Sequence, residues 1–367
     1  MSVVLLALAL LASFINPFFR RTRPKKKDTA GKSQAAFTEE TANDGVILQD
    51  PTTEKTQPLH ATKSAGEEKS LPPISIILTP DDDAEALSDN LSLYLEQDYP
   101  TDYQVIVVAP KKDKETEDIL KQHANKRLYI TFTPDSSRYM SKKKVVITLG
   151  VKASKYNWVL MADIFCKPQN DQWLKAMAMN ICEGDDLIIG NTLYDQETPH
   201  FRVFERFHKT LYLLREYYQN RAYRCETNAL LFRKDMFLTE EGFRGNLKFI
   251  RGEYDFMVNK YAGKYAVRHA DTPEATLIEP APTEKMWRNK HLYYMESRKH
   301  LERSFRHRLL FNIDQCLLHL NYMAIIGASI FAGLTSRWLI LGAAALSLIM
   351  TVCLKIHFFS KKQKEHG

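Results

Sequence analysis

Three acidic residues in this 367-residue chain stand where carboxylates often do chemistry. Asp163 closes the apolar run WVLMAD, residues 158–163, so its carboxylate would lie at the carboxyl end of a buried strand, where ligands of parallel sheets bind. Glu253 and Asp255 follow Gly252 at the start of a helical period. They could serve as a general base, or they could simply favour the positive end of the helix dipole. The sequence leaves both interpretations open.

A basic cluster offers a second kind of chemistry. Lys142, Lys143 and Lys144 follow an apolar strand and lie close to Ser137 and Arg138. Such side chains could neutralise a diphosphate in a cleft and partly offset a missing metal cation, because ammonium and guanidinium groups donate strongly to phosphate. The alternative is a solvated basic helix face. We expect at least one of Arg138, Lys142 and Lys143 to contact phosphate.

The elements that must position these residues alternate between short apolar runs and helical periods. Strands that are apolar throughout are covered on both faces, which predicts an α/β fold with a mainly parallel sheet and helices on each side. The predicted strands are 74–78, 105–109, 128–133, 158–163 and 187–191, and the predicted helices are 84–97, 115–124, 140–155 and 171–182.

Several classes of protein are excluded or disfavoured. The loop after the first strand, Pro80 to Asp83, lacks the glycines of a Walker loop or a dinucleotide-binding turn, which argues against P-loop and nicotinamide enzymes. The five cysteines form no CxxC pair, which indicates neither a zinc ribbon nor a disulfide framework and fits a reducing compartment. The net charge of +7 comes with no nucleic-acid recognition motif, so no nucleic-acid partner is expected.

The N-terminal part predicts a membrane anchor followed by a tether. Residues 1–20 form the predicted transmembrane anchor, because the uncharged stretch 2–19 is long enough to cross a bilayer core of about 30 Å. Basic residues at 20–27 follow the apolar stretch, which is the reverse of a secretory signal and places the N-terminus outside. Residues 21–71 are predicted to be a basic, disordered linker, since they hold a single aromatic residue, Phe37.

The C-terminal part predicts a second membrane attachment. Residues 309–357 are predicted to form a transmembrane helical hairpin. Basic residues on both flanks place the globular part and the tail, 358–367, in the cytoplasm. Residues 286–308 are basic with interleaved aromatic residues, which predicts an amphipathic helix on the membrane surface. A gating element over the ligand cleft is the alternative for this segment.

An ordered series of segments carries a family resemblance. ISIILTP, a helix ending in LEQDYP, and YQVIVVA come first, and SSRYMSKKKVVITLGVKASKYNWVLMADIFCKP follows. CETNALLFRKDMF, GFRGNLKFIRGEYDFMVNKYA and finally EKMWRNK, which holds Trp287 and Arg288, complete the series. The series is similar to glycosyltransferase family 2, whose domains have the GT-A fold, and EKMWRNK stands where membrane-bound members carry a basic and aromatic motif. The resemblance covers roughly residues 72–300, of which 72–285 are the predicted GT-A-like domain.

The resemblance implies a nucleotide-sugar donor and a divalent cation, Mg²⁺ or Mn²⁺, held by a DxD-type motif. The first carboxylate of that motif falls on Asp163, and Phe165 replaces the second. A single carboxylate is a weak magnesium site, since the ion is usually held by one or two carboxylates and phosphates. The acidic residue expected after the first strand falls near Ala84, with Asp83 and Glu85 as substitutes.

The resemblance also implies a catalytic base, which in inverting members falls on Tyr254 of this sequence. A phenol with an ordinary pKa of about 10 is a poor base near pH 7, so Glu253 or Asp255 would have to replace it. Neighbours on a helix point about 100° apart, so only one of them can face the acceptor. The residue expected to contact the nucleotide base falls near Ala109 and Pro110, whose side chains accept no hydrogen bond.

Two functions from different classes follow. The first is a multi-pass glycosyltransferase of the cell (inner) membrane that moves a sugar from a nucleotide-sugar to a lipid-linked or polysaccharide acceptor. The second is a catalytically degenerate GT-A domain acting as a scaffold or partner of an active transferase, because the metal, nucleotide and base positions all depart from the pattern. A third hypothesis is a membrane-associated adaptor that takes no part in sugar transfer. The candidate catalytic residues are Glu253 and Asp255, the candidate substrate-binding residues are Asp83, Glu85, Arg138, Lys142, Lys143, Trp287 and Arg288, and the candidate metal ligand is Asp163.

Overall fold

The structure is a computed structural model that describes most of the chain outside the predicted linker. The described residues are 1–15, 70–81, 83–123, 125–133, 141–217, 222–270, 272–303 and 305–366. Residues 21–69 of the predicted linker lie outside them, and so does the predicted phosphate-binding residue Arg138.

The described residues contain ten strands and eleven α-helices. The strands are β1 (Ile74–Leu78), β2 (Tyr103–Pro110), β3 (Leu128–Thr133), β4 (Trp158–Ala162), β5 (Lys167–Pro168), β6 (Leu187–Ile189), β7 (Asn191–Tyr194), β8 (Ala229–Arg233), β9 (Val267–His269) and β10 (Thr276–Glu279). The helices are α1 (Ser2–Ile15), α2 (Ala84–Leu95), α3 (Lys114–Gln122), α4 (Lys142–Ala153), α5 (Trp173–Met179), α6 (His200–Tyr217), α7 (Lys234–Thr239), α8 (Glu253–Tyr261), α9 (Glu284–Ser297), α10 (Phe305–Leu334) and α11 (Trp338–His366).

The larger sheet has the strand order β3-β2-β1-β4-β8-β6-β9. Its strands run parallel except β8, which pairs antiparallel with both β4 and β6. Ile76 of β1 lies opposite Val105 of β2 and Leu160 of β4. The predicted mainly parallel α/β sheet is confirmed, and the antiparallel β8 is an addition that the strand pattern did not indicate.

Two apolar cores, one on each face of this sheet, explain why the central strands are apolar throughout. Ile77 of β1 packs into a core with Ile147 of α4 and with side chains of α6 and α8. Ile76 of the same strand packs into a second core with Leu87 of α2 and with side chains of α5. Because successive side chains of a strand point to opposite faces, burial on both faces requires an unbroken apolar run.

The fifth predicted strand, residues 187–191, divides between two sheets. β6 ends at Ile189, and β7 starts at Asn191 in a smaller sheet of order β5-β10-β7. Gly190 lies between them, where a Cβ atom would meet the Cβ of Ala229 at 2.9 Å and its carbonyl oxygen at 3.0 Å. Glycine therefore allows the chain to pass close to β8 as it changes sheet.

Three apolar helices pack together at the ends of the chain. Phe311–Leu334 and Trp338–Lys364 are long and apolar enough to cross a membrane, and the apolar stretch Ser2–Leu11 is shorter. Helix α11 runs on through the predicted tail, 358–367, as far as His366. The buried residues shared by α1, α10 and α11 are Leu5, Ile325, Ala328 and Ala344.

Helix α6 joins these apolar helices to the sheet. The ring centroids of Phe204 and Phe207 on α6 lie 5.0 and 5.4 Å from that of Phe359 on α11. Tyr212 of α6 contacts Phe311 of α10 at 5.3 Å. The start of α10 and the end of α11 therefore pack on one side of α6. The other side of α6 faces the cleft described next.

Candidate active site

A cavity of about 520 Å³ opens beyond the carboxyl ends of the parallel strands. Its size falls within the roughly 300–1,000 Å³ that small-molecule sites occupy. Its walls come from the loop after β4, the start of α4, one side of α6, the start of α8, the end of β10 and α9. Four predicted residues from distant parts of the sequence, Asp163, Lys143, Glu253 and Asp255, line it together.

Asp163 and Lys143 form an ion pair in this cleft. Lys143 Nζ donates to Asp163 Oδ2 at 3.1 Å, and the two side chains keep 14% and 19% of their surface exposed. The Asp163 backbone is fixed by a hydrogen bond from its N–H to the carbonyl of Asn228 at 3.1 Å. Burial alone would lower the pKa of the Lys143 ammonium, but the Asp163 and Glu253 carboxylates hold it above its ordinary value. Lys143 therefore stays charged between two acidic groups.

The three consecutive lysines have three different surroundings, because neighbours on a helix point about 100° apart. Lys142 is exposed and does not line the cleft. Lys143 points into the cleft, whereas Lys144 is fully buried. Lys144 Nζ donates to three backbone carbonyls, at 3.3 Å, 2.5 Å and 3.2 Å, and burial lowers its pKa. These carbonyls belong to Asn246, Phe249 and Arg251, in the loop that leads into α8.

The two candidate bases at the start of α8 differ in their partners. Glu253 is only 5% exposed, and within the described part of the chain its Oε1 atom has no hydrogen-bond partner. Asp255 Oδ1 accepts from the N–H of Cys225 at 3.1 Å and lies 3.6 Å from Arg224 Nε. Burial raises the pKa of Asp255, and Arg224 opposes that shift. Tyr254, between them, donates its hydroxyl to the carbonyl of Asn228 at 3.2 Å, and burial raises its pKa well above 10.

The remaining predicted residues divide between the cleft and the surface. Trp287 lines the cleft and donates from Nε1 to Glu205 Oε2 at 3.1 Å. Asp83 does not line the cleft; burial raises its pKa to about 6, and it interacts electrostatically with Asp163 and Lys143. Glu85 and Arg288 are exposed and do not line the cleft. Together with Lys142 and Asp83, they are the predicted site residues among the described ones that do not line the cleft.

A buried carboxylate that the sequence analysis missed, Glu279, lies at the end of β10. It accepts from Arg206 Nη1 at 2.7 Å, from Asn228 Nδ2 at 2.9 Å and from Lys290 Nζ. Burial alone would raise its pKa, but Arg206 and Lys290 hold the pKa at about 2. The signal was the same as for Asp163, because Glu279 also closes an apolar run, TLIE.

A second missed feature is the charged face of α6. Residues 202, 205, 206 and 209 recur at helical spacing and line the cleft. Glu205 Oε1 lies 2.6 Å from His291 Nε2 and 3.0 Å from Lys209 Nζ, which ties α6 to α9. Arg224 pairs with Glu226 and stacks 4.2 Å from the ring centroid of Tyr294 on α9. One side of α9 thus forms a wall of the cleft, and its predicted contact with a membrane surface stays a prediction.

The donor set does not fit a divalent cation. The described ranges contain no group of three His, Cys, Asp or Glu side chains placed to hold a metal ion. Phe165 lines the cleft where a second carboxylate of a DxD motif would lie, and the Asp163 carboxylate is already paired with Lys143. A divalent ion roughly 4 Å from an ammonium group would be repelled by roughly 8 kcal/mol at an effective dielectric constant of about 20.

The fold is similar to that of a solved glycosyltransferase. The mannosyltransferase PcManGT from Pyrobaculum calidifontis, solved with GDP-Man and Mn²⁺, aligns with a TM-score of 0.53 and 15% identity over 83% of this chain and 91% of that chain. The fold is GT-A-like. S. aureus TarS 1–349 aligns with a TM-score of 0.45 and 16% identity over 67% of this chain and 69% of that chain. Its complex with UDP-GlcNAc aligns with the same TM-score and identity over 67% and 70%.

No protein-family model matches the sequence, and no curated protein matches it. At 15% identity the likeness is one of fold. The chemistry therefore has to be argued from the cleft itself.

Proposed function

We propose that the chain is a membrane-bound, family 2-like glycosyltransferase that moves a sugar from a nucleotide-sugar to a lipid-linked or polysaccharide acceptor. The observation that carries the proposal is the convergence of Asp163, Lys143, Glu253 and Asp255 on one cleft of about 520 Å³. They come from three distant parts of the sequence, and the cleft lies at the edge of the sheet where ligands of such folds bind. The solved mannosyltransferase of similar fold holds GDP-Man, which supports a nucleotide-sugar as donor.

The contacts favour Glu253 over Asp255 as the base. The Oδ1 atom of Asp255 is held by Arg224 and by the backbone N–H of Cys225, so this carboxylate helps to fix the loop before β8. Glu253 faces the cleft with one carboxylate oxygen unpaired among the described residues. A base must reach the proton it takes, and an engaged carboxylate reaches it less readily.

The proposed reaction is a direct displacement at the anomeric carbon of the donor sugar. Glu253 takes the proton of the acceptor hydroxyl while that oxygen bonds to the anomeric carbon. The bond from this carbon to the diphosphate oxygen breaks, and the electron pair leaves with the nucleoside diphosphate. Lys143 stabilises the negative charge that develops on the leaving group, because a fixed cation in a partly buried cleft acts more strongly than one in water.

The apolar helices support an acceptor that lies at the bilayer. Helices α10 and α11 are long and apolar enough to cross a membrane, and α1 packs against them. We propose that they hold the domain on the cytoplasmic side of the cell (inner) membrane, with the N-terminus outside, because basic residues flank the apolar stretches on that side. The face of α9 turned away from the cleft exposes Leu292 and Met295 beside basic residues, which supports contact with the membrane surface.

A binding screen tests the donor. The full-length protein in detergent is titrated by calorimetry with UDP- and GDP-sugars, with EDTA and with Mn²⁺ or Mg²⁺, and the free nucleosides serve as control ligands. We expect micromolar binding of at least one nucleotide-sugar and none of its nucleoside. If no nucleotide-sugar binds in either condition, the transferase proposal is wrong.

The second candidate is the scaffold, a degenerate GT-A domain that assists a partner transferase. It is favoured by the lack, within the described residues, of a three-ligand metal group and by the phenol of Tyr254 at the expected base position. It predicts that no nucleotide-sugar binds in the titration and that an active glycosyltransferase co-purifies with the chain. The same titration therefore separates the two functions.

A further inference from the structure

The ion pair between Lys143 and Asp163 involves the residue on which the family resemblance places the first carboxylate of the metal-binding motif. Asp163 follows β4 directly, and the ammonium of Lys143 lies 3.1 Å from its Oδ2. Both side chains keep part of their surface open to the cleft, so a ligand in the cleft can reach them. The ion pair is therefore neither fully exposed on the surface nor fully buried in the core.

A second cation lies close to this pair. Arg251 lines the same cleft, and its guanidinium is near enough to Lys143 to oppose the charge on that ammonium. Among the residues the structure describes, no carboxylate pairs with Arg251, and its guanidinium carbon lies 5.9 Å from the centroid of the Tyr293 ring. Two like charges that face one space attract an anion, and a diphosphate carries enough charge to satisfy both.

We propose that the ammonium group of Lys143 takes the place of a divalent cation as the counter-ion of the nucleoside diphosphate, so that the donor binds in this cleft without a metal ion. This inference rests on the proposed function. Lys143 exchanges part of its contact with Asp163 for a phosphate oxygen, and Arg251 contacts the same diphosphate. Asp163 acts as a positioning residue that holds the lysine side chain toward the cleft. This assignment accounts for the ion pair, for Phe165 in place of a second carboxylate and for the unpaired Arg251.

The decisive comparison uses the wild-type, full-length protein in detergent. UDP and GDP are titrated by calorimetry in EDTA and in Mn²⁺, beside UMP and GMP. We expect one of the two diphosphates to bind with the same dissociation constant in both conditions and more tightly than its monophosphate. Binding at least about tenfold tighter in Mn²⁺ than in EDTA, a difference well outside the error of the titration, would overturn the inference and leave the proposed function standing.

Variants test the roles of the two residues. Lys143→Met should weaken diphosphate binding in EDTA about 10- to 100-fold, the loss expected for one charge-assisted contact. Lys143→Arg should keep most of it. Lys152→Met is the matched control, since Lys152 is an exposed lysine at the other end of α4. Unchanged binding by Lys143→Met would contradict the assignment.

Asp163→Asn separates a positioning residue from a metal ligand. The amide keeps an acceptor for Lys143, so we expect diphosphate binding in EDTA to persist. A metal ligand at this position would instead lose binding in Mn²⁺ on the same change. Thermal unfolding of each variant shows whether it is folded. No binding of any nucleotide in either condition would refute the inference and the proposed function together, which distinguishes that case from a strict need for Mn²⁺.

Discussion

Lys144 gives a quantitative test of how the cleft is built. Its buried ammonium is the shared donor for the carbonyls of Asn246, Phe249 and Arg251. Gly252 follows with a φ of 89°, and Glu253 then starts α8. The loop that sets the position of the proposed base is therefore attached to the first turn of α4 through Lys144. The hydroxyl of Ser141, just before α4, adds a hydrogen bond to the carbonyl of Ile250 at 3.0 Å.

Lys144→Met removes that donor and leaves the carbonyls of Phe249 and Arg251 without a partner among the described residues, whereas the carbonyl of Asn246 still accepts from the N–H of Phe249 at 3.2 Å. An unsatisfied buried polar group costs about 1–3 kcal/mol, and we take the lower value because side chains of the same loop, Leu247 and Ile250, are exposed and water can approach. For two carbonyls the sum is about 2 kcal/mol of unfolding free energy. For a domain of this size that corresponds to a fall of roughly 4–8 °C in Tm.

The assay is thermal unfolding of the full-length protein in detergent, with hydrogen exchange of residues 246–251 as a local probe. Lys142→Met is the matched control, because it changes the exposed neighbour in the same helical turn and should stay within about 0.5 kcal/mol of wild type. We expect faster exchange of the loop in Lys144→Met alone. Equal Tm values for the two variants would show that the loop does not depend on this contact, and the reasoning would fail.

Three further predictions concern the base, the buried carboxylate and the strand junction. Glu253→Gln should lower the rate of sugar transfer about 10²- to 10⁴-fold with little change in Tm, because it removes the proposed base. Asp255→Asn should mainly lower Tm. If transfer assays and thermal melts show the reverse pattern, Asp255 is the base and Glu253 is structural. Glu279 has a folded-state pKa of about 2 against an ordinary 4.5, so its contribution of about 3 kcal/mol is present above pH 4.5 and is lost as the pH falls toward 2. Glu279→Gln should flatten this acid-side fall in Tm, and an unchanged pH profile would contradict it. Gly190→Ala should cost about 1–3 kcal/mol through the close approach to β8, with Gly263→Ala, which meets no atom within 4 Å, as control; equal melts would count against the packing argument.

The elements that could be predicted are those whose residues report burial directly. The run at 74–78 is a strand with the predicted bounds, and the strand at 158–163 was placed to within one residue, because burial on both faces demands an unbroken apolar sequence. The strand at 128–133 also has the predicted bounds, although it lies at the edge of the sheet and its side chains are partly buried or exposed. Strand direction leaves no such trace. ALLFR, residues 229–233, is as apolar as the parallel strands, yet it runs antiparallel between two of them.

The sequence indicated some of the residues that share the cleft, but not the surroundings of each. The residue types and strand ends indicated Asp163, Lys143, Glu253 and Asp255. The phase of α4 about its axis decides which lysine enters the cleft, and three adjacent identical residues carry no information about that phase. Asp255 differs from Glu253 through Arg224, which is 31 residues away in sequence and becomes a neighbour only in the folded chain.

Helix α6 links the two halves of the proposed function. Its charged residues at 202, 205, 206 and 209 fall within an arc of about 100°, and Phe204 and Phe207 lie on the other side of the axis. The first set lines the cleft, and the second packs on Phe359 of α11. Because one rigid helix carries both contacts, the cleft has a fixed position relative to the end of α11. The packing of α6 on α11 then sets the distance from the bilayer to Glu253. The proposed lipid-linked acceptor must therefore extend from the bilayer to the cleft, because the domain does not move toward the membrane.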